Sequence, residues 1–192
     1  MGNATNYFRN ASVAPVAVGG LAGINNGELI YSLNGDKSLI SVDIDNIDIS
    51  FVGGVAGIMR SGTISNYRIE SNLRGNINVG GVVGVVQNGS GSIKISDCFV
   101  GKTIPSDAKN EKDYATKIVA YGFETNYVGV VVGKATSRVV IFGGNKCSRA
   151  VLFSRIWING DETQSAYEKT YENVASDSSL QDKILIQFLE LD

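Results

Sequence analysis

Val18-Gly19-Gly20-Leu21-Ala22-Gly23-Ile24 sets a pattern that this chain writes four times, with variation. It returns as Val52-Gly53-Gly54-Val55-Ala56-Gly57-Ile58 and as Val79-Gly80-Gly81-Val82-Val83-Gly84-Val85. A worn copy follows at Val128-Gly129-Val130-Val131-Val132-Gly133. Counted from the first glycine of each copy, the steps are 34, 27 and 49 (53 − 19, 80 − 53, 129 − 80). Self-similarity at this spacing is the mark of stacked units, each burying its apolar face against its neighbours.

Each copy reads as an apolar Gly-Gly strand, a polar turn, a second strand and a longer return. The second strands are Glu28-Leu29-Ile30-Tyr31, Thr63-Ile64-Ser65-Asn66-Tyr67, Ser92-Ile93-Lys94-Ile95 and Val139-Val140-Ile141-Phe142. Short apolar or alternating runs of this kind carry strand periodicity, not helical periodicity. Glycine weakens a strand, so a recurring one marks close backbone approach or a bulge. With coils stacked about 4.8 Å apart, small residues at one position form a column. The predicted fold is all-β, a β-solenoid or parallel β-helix-like stack.

The repeat resembles the GLUG motif, named for its Gly-Leu-any-Gly core and found in tandem in bacterial surface and secreted proteins. The resemblance covers roughly residues 16–150, in three good copies and one degenerate one. It implies an extracellular repeat module, of a kind often attached to adhesin-like or protease-bearing proteins. It supplies no catalytic residues.

Composition narrows the class. The chain has 192 residues, 43% of them hydrophobic and 19% charged, which is globular and enough for one core. Glycine is abundant at 23 residues against two prolines, as many turns require. A net charge of −2 lacks the basic surplus that a phosphate backbone demands, so no nucleic-acid partner is expected. No run reaches the ~18 apolar residues of a spanning helix. The start, Met1-Gly2-Asn3-Ala4-Thr5-Asn6, lacks a signal peptide's apolar region. For a protein placed at the cell surface or outside the cell, that implies a signal or anchor removed and Met1 added.

Residues 1–150 form the expected repeat region, with 1–15 as a first capping strand. A loop insertion occupies about 101–117, and its middle, 105–113, is polar and turn-rich. Ile118 to Phe123 reads as the strand that returns to the stack. Residues 151–192 read as a strand–helix–strand cap. Val151 to Ile158 is strand-like up to the Asn159-Gly160 turn, and a short helix runs from Asp161 or Thr163 to about Val174. Lys183 to Leu189 is the closing strand.

The absence of histidine removes Ser-His and Cys-His nucleophile pairs and histidine metal sites. Val128 to Thr136 brushes against a phosphate loop. It fails at Val128, where glycine is needed, and at Ala135, where Ser or Thr is needed. No cofactor is expected, and calcium is the one weak alternative. Asp43, Asp45 and Asp48 offer the hard oxygens that Ca²⁺ prefers. Their alternation with Val42 and Ile44 is equally that of a solvated strand face.

Cys98 and Cys147 stand at the same offset from their copy's first glycine (98 − 80 and 147 − 129). Equivalent positions in stacked coils approach disulfide range, whereas the simpler reading is two buried thiols. Tyr31 and Tyr67 follow their copies' glycines at nearly matching offsets (31 − 19 and 67 − 53). They read as a packing ladder or as sugar-stacking platforms.

The expected function is that of a non-catalytic extracellular module for adhesion or structural spacing, not an enzyme. The alternative is a carbohydrate-active β-helix enzyme, a polysaccharide lyase or hydrolase using acidic residues; a calcium-stabilised stalk is the third reading. Binding, if any, is placed on the insertion and its flanks, at Lys109, Lys112, Tyr114, Tyr121 and Tyr127, because rigid scaffolds carry recognition on loops. The partner would be a glycan or a host or cell-surface protein.

Overall fold

The computed structural model describes residues 16–31, 37–45, 50–87, 91–121, 127–135, 140–148 and 150–156, with 169–170, 184–185 and 190–191. The chain winds through five short strands per coil. The first coil contains β1 (Val16–Gly19), β2 (Ala22–Asn25), β3 (Glu28–Ile30), β4 (Ser38–Ile40) and β5 (Ile44–Asp45). The second contains β6 (Ser50–Gly53), β7 (Ala56–Met59), β8 (Gly62–Ser65), β9 (Tyr67–Ile69) and β10 (Leu73–Gly75). The third contains β11 (Asn78–Gly80), β12 (Val83–Val86), β13 (Ile93–Ser96), β14 (Phe99–Val100) and β15 (Thr116–Tyr121). The fourth contains β16 (Tyr127–Gly129), β17 (Val132–Ala135), β18 (Val140–Gly143), β19 (Lys146–Cys147) and β20 (Val151–Ile156).

Each strand pairs in parallel with its counterpart in the next coil, which makes five parallel sheets running along the stack. The chain is an all-β, parallel β-helix-like solenoid. The glycine copies fall in register: Gly19 opposite Gly53, Gly53 opposite Gly80, and Gly80 opposite Gly129.

One expectation is corrected. The Gly-Gly stretch is two strands in two sheets, with a bend between them at Gly20–Leu21 and at its equivalents. The second glycine sits in that bend because no side chain fits there. A Cβ on Gly20 would stand 2.3 Å from Gly54 O, one on Gly54 2.2 Å from Gly81 O, and one on Gly81 2.0 Å from Val130 O. Each corner therefore rests directly on the backbone of the next. Thr63 to Tyr67 is likewise divided, between β8 and β9, at Asn66.

That second corner has its own column. Asn66 (φ 64°), Asp97 (φ 56°) and Gly144 (φ 63°) are all left-handed. They occupy one position, because Tyr67 and Cys98 precede Arg68 and Phe99, which pair, and Phe99 pairs with Lys146. Asparagine, aspartate and glycine are the residues that tolerate this conformation.

The core is a set of aliphatic columns inside the ring. Val52, Val79 and Val128 line one sheet, Ile64 and Ile95 another, and Ile69, Val100 and Cys147 a third. All are essentially inaccessible to solvent. Each such aliphatic side chain contributes about 1.5–3 kcal/mol on burial.

Variation in coil length is confined to the corners. Between the second and third coils the offset is 31 at Ile69 opposite Val100 and 45 at Leu73 opposite Ile118. The difference, 45 − 31, places fourteen additional residues between β14 and β15.

Past the fourth coil, β21 (Lys169–Thr170) runs antiparallel to β20, β22 (Ile184–Leu185) continues the sheet of β16, and β23 (Glu190–Leu191) continues that of β19. β20, read from sequence as the start of a cap, pairs with β15 over six residues and belongs to the stack. Lys169–Thr170, expected within a helix, are extended, because the outer edge of β20 offers hydrogen bonds that a short helix would forgo. The remainder of the expected helix, the capping segment 1–15 and the rest of the closing strand lie outside the described residues.

Candidate functional site

Chain leaves the stack after Val100 and returns at Thr116. Gly101 makes the exit, with φ 106°, and its amide donates to Ile69 O at 2.7 Å. A Cβ at Gly101 would meet Ser148 Cβ and Val151 Cγ2, both at 2.8 Å. Beyond it the segment is locally ordered. Ala108 N–H donates to Pro105 O at 3.0 Å, and Asn110 Nδ2 donates to Asp113 Oδ1 at 3.2 Å. A single turn of 3₁₀-helix, Glu111–Tyr114, leads back to β15.

The base of this loop is tied to the stack by Arg68. Its Nε donates to Glu70 Oε1 at 2.7 Å, a second nitrogen donates to Thr103 Oγ1, and the guanidinium lies 5.2 Å from the centroid of the Phe99 ring. Sequence reading missed this cluster. Arg68 lies in β9 and Glu70 directly follows that strand, but Phe99 belongs to the next coil and becomes a neighbour only once the register is known.

The residues expected to bind are not brought to one place. Lys109 is exposed on the loop, Tyr114 is half-buried at its end, and Lys112 lies in the 3₁₀ turn between them. Tyr121 is at the far end of β15, five residue steps from Thr116, or roughly 17 Å of strand. Tyr127 opens β16, where the Lys134 ammonium sits 4.8 Å from its ring centroid. Of these five residues the loop therefore carries Lys109, Lys112 and Tyr114, while Tyr121 ends β15 and Tyr127 opens β16.

Asp43 and Asp45 are exposed on the fifth side of the first coil, and both carboxylates are engaged by the second coil. Asp43 accepts from the amide of Asn72 at 2.7 Å and from its Nδ2 at 3.0 Å. Asn72 Oδ1 in turn accepts from Lys117 N–H at 2.9 Å, so one polar ladder links three coils. Asp45 pairs with Arg74 at 2.9 Å. Asp48 lies outside the described residues. Among the described residues no three His, Cys, Asp or Glu side chains group as a metal site.

Both cysteines are buried, and no disulfide joins them. Register separates them: Cys98 lies opposite Asn145, and Cys147 lies opposite Val100. Their equal distance from the glycines conceals a change of offset, from 49 at Val86–Ala135 to 47 at Ile93–Val140. Diagonal neighbours on adjacent strands are about 7–8 Å apart, beyond the span of a disulfide. Burial pushes the Cys98 thiol up to about 11, so it is protonated and unreactive at neutral pH.

Tyr67 is buried in the core, and burial, with a smaller contribution from Cys98, raises its phenol above its ordinary range. Tyr31 packs partly buried against the same core. It follows Ile30, the partner of Ser65, and so stands one position out of line with Tyr67. The buried Tyr67 ring is closed to a sugar, whereas Tyr31 is partly exposed. Val128 to Ala135 is strand, bend and strand, without the loop-to-helix turn of a phosphate site. No helix among the described residues is long and apolar enough to cross a membrane.

Comparison with protein-family models, with curated proteins and with solved structures finds no match to the chain.

Proposed function

We propose that this chain is a non-catalytic module of a bacterial surface or secreted protein, serving as a rigid spacer that presents the 101–115 loop to a partner. The observation that supports the reading most is the separation of roles along the chain. The strands stack through apolar columns and glycine corners, whereas the fourteen-residue excursion is polar, ordered and tethered by Arg68. Such a loop changes without disturbing the coils that carry it. The extracellular placement rests on the resemblance of the glycine repeat to the GLUG motif. The partner chemistry in this reading is a glycan or a cell-surface protein, met by Lys109, Lys112 and Tyr114.

The test is a glycan array together with binding to cell surfaces, using the intact chain and a variant whose residues 104–113 are replaced by a Gly-Ser linker. Thr103 and Thr116 are kept, since the first accepts from Arg68 and the second is buried in β15. Binding by the intact chain that the variant loses, at an unchanged melting temperature, is the expected result. Binding that the variant retains moves the site elsewhere on the stack. Turnover of a polysaccharide by the intact chain would replace the reading with an enzymatic one.

A further inference from the structure

Three lysines stand in the 101–115 loop, and they are not equivalent. Lys109 is exposed, with exposed Asn110 and Glu111 after it. Lys102 is half-buried between Gly101, whose amide donates to Ile69 O, and Thr103, which accepts from Arg68. Lys112 falls in sequence between two acidic residues, Glu111 and Asp113, inside the 3₁₀ turn.

A protease holds its substrate as an extended strand, so a segment must first give up its own backbone pairing. Around Lys109 that pairing is local. Ala108 N–H donates to Pro105 O and Asp113 N–H to Asn110 O, both turns closed within the loop. Such turns open at far lower cost than a core strand. Apart from Lys102 and Lys112, every other lysine and arginine among the described residues lies in a strand or directly beside one. Lys94, exposed like Lys109, is paired on both sides, with Thr63 and Ile141. Lys117 is paired with Leu152, and its amide donates to Asn72 Oδ1.

A cut after Lys109 falls between β14 and β15 and divides the chain into 109 and 83 residues (192 − 109). The two pieces remain interleaved. β15 to β19 of the second piece pair in order with β10 to β14 of the first, one pairing in each of the five sheets. The core columns cross the same boundary. Leu73 opposite Ile118, Val79 opposite Val128 and Val100 opposite Cys147 are all 0% or 1% exposed. None of these pairings uses a residue of the loop.

We propose that the Lys109–Asn110 bond is a cleavage site for proteases of trypsin-like specificity, and that the cleaved chain persists as a two-chain stack. Such proteases carry an aspartate in the pocket that receives a basic side chain, and exposed loop tips are where nicking concentrates. Water adds across the peptide bond. Its oxygen joins the Lys109 carbonyl carbon, which becomes a carboxylate. The Asn110 nitrogen keeps the bonding pair and takes up both of water's protons as an ammonium. The loop opens into two tails with new termini, while the strands on either side keep their partners. Exposure and strand pairing set this outcome, whatever partner the loop meets.

The test is a time course of the full chain with a low proportion of trypsin, the products mapped by mass spectrometry. Within residues 16–156 the first cut should follow Lys109, about tenfold or more ahead of cuts after Lys94 and Lys117. The pieces on either side of it should co-elute in native size-exclusion chromatography and part in urea. Lys109→Gln should slow cleavage between residues 103 and 115 about tenfold or more at an unchanged melting temperature. Cuts after Lys94, Lys109 and Lys117 at one common rate would mean that digestion passes through the unfolded chain, and would overturn the site. A first cut elsewhere within 16–156, or a variant cut in the loop as fast as its parent, overturns it as well. Pieces that separate in native buffer overturn the two-chain stack.

Discussion

Asn145 of the fourth coil holds the backbone of Cys98 in the third, accepting its amide hydrogen on Oδ1 at 3.0 Å. Its Nδ2 donates to Ile95 O at 2.8 Å, so one buried side chain satisfies both a donor and an acceptor just before β14 and at β13. Asn145→Ala would leave both groups buried and unpaired. At about 1–3 kcal/mol for each, the expected loss is about 2–6 kcal/mol. Urea unfolding should show it as a lower midpoint at an unchanged slope. A loss under half a kcal/mol would mean that water replaces the amide.

The glycines of the corner and those of the turns should respond differently to the same substitution. In Gly81→Ala the new methyl would stand 2.0 Å from Val130 O and 2.7 Å from Val100 Cγ1, and the carbonyl is backbone that cannot swing aside. The expected cost is about 3 kcal/mol or more. Gly27 has nothing within 4 Å of the same atom, so Gly27→Ala should stay within about 0.5 kcal/mol. Thermal melts of the two variants side by side decide whether close approach is what the repeat encodes.

Those two glycines show how far the sequence was legible. The recurrence of Val-Gly-Gly gave away stacked strands and close packing, because only glycine admits a neighbouring carbonyl at that range. It did not reveal that Gly20 is a corner, since a buried strand and a tight bend carry the same short apolar run. Nor did it reveal the true partners of Cys98 and Cys147. Residues are gained and lost at corners, as between Val86 and Ile93, and sequence counting carries those errors into every later position. The loop at 101–115 was visible as a polar interruption. The distance of Tyr121 and Tyr127 from it was not, because that depends on the length and direction of β15.

Thr116 is the one described residue with a fully buried side-chain oxygen that lacks a hydrogen-bond partner. It sits at the first position of β15, opposite Val151. Valine has the same branched shape without the hydroxyl, so Thr116→Val removes a desolvation cost and creates no cavity. Stability should rise by about 1 kcal/mol, which for a chain of this size is about 2–4 °C in melting temperature. A drop of similar size would show that the hydroxyl has a partner, such as a buried water.

The last prediction concerns the thiols and alkaline pH. Cys98 is 1% exposed and Cys147 is inaccessible, so a disulfide-exchange reagent should titrate no sulfhydryl in the native chain and two in denaturant. A single cross-linked pair would contradict the register. Burial raises the Cys98 thiol from its ordinary 9.0 to about 11, the main cause being loss of solvation. The native state therefore holds this proton more tightly than the unfolded chain does. Its contribution to stability is complete below about 9 and is lost as pH rises towards 11. Tyr67, raised by the same burial, adds to that loss at the upper end. Unfolding midpoints measured from neutral pH to pH 11 should fall across this window. In Cys98→Ala the fall should be smaller, with Tyr67 supplying what remains. An equally steep fall in that variant would place the alkaline sensitivity on other groups.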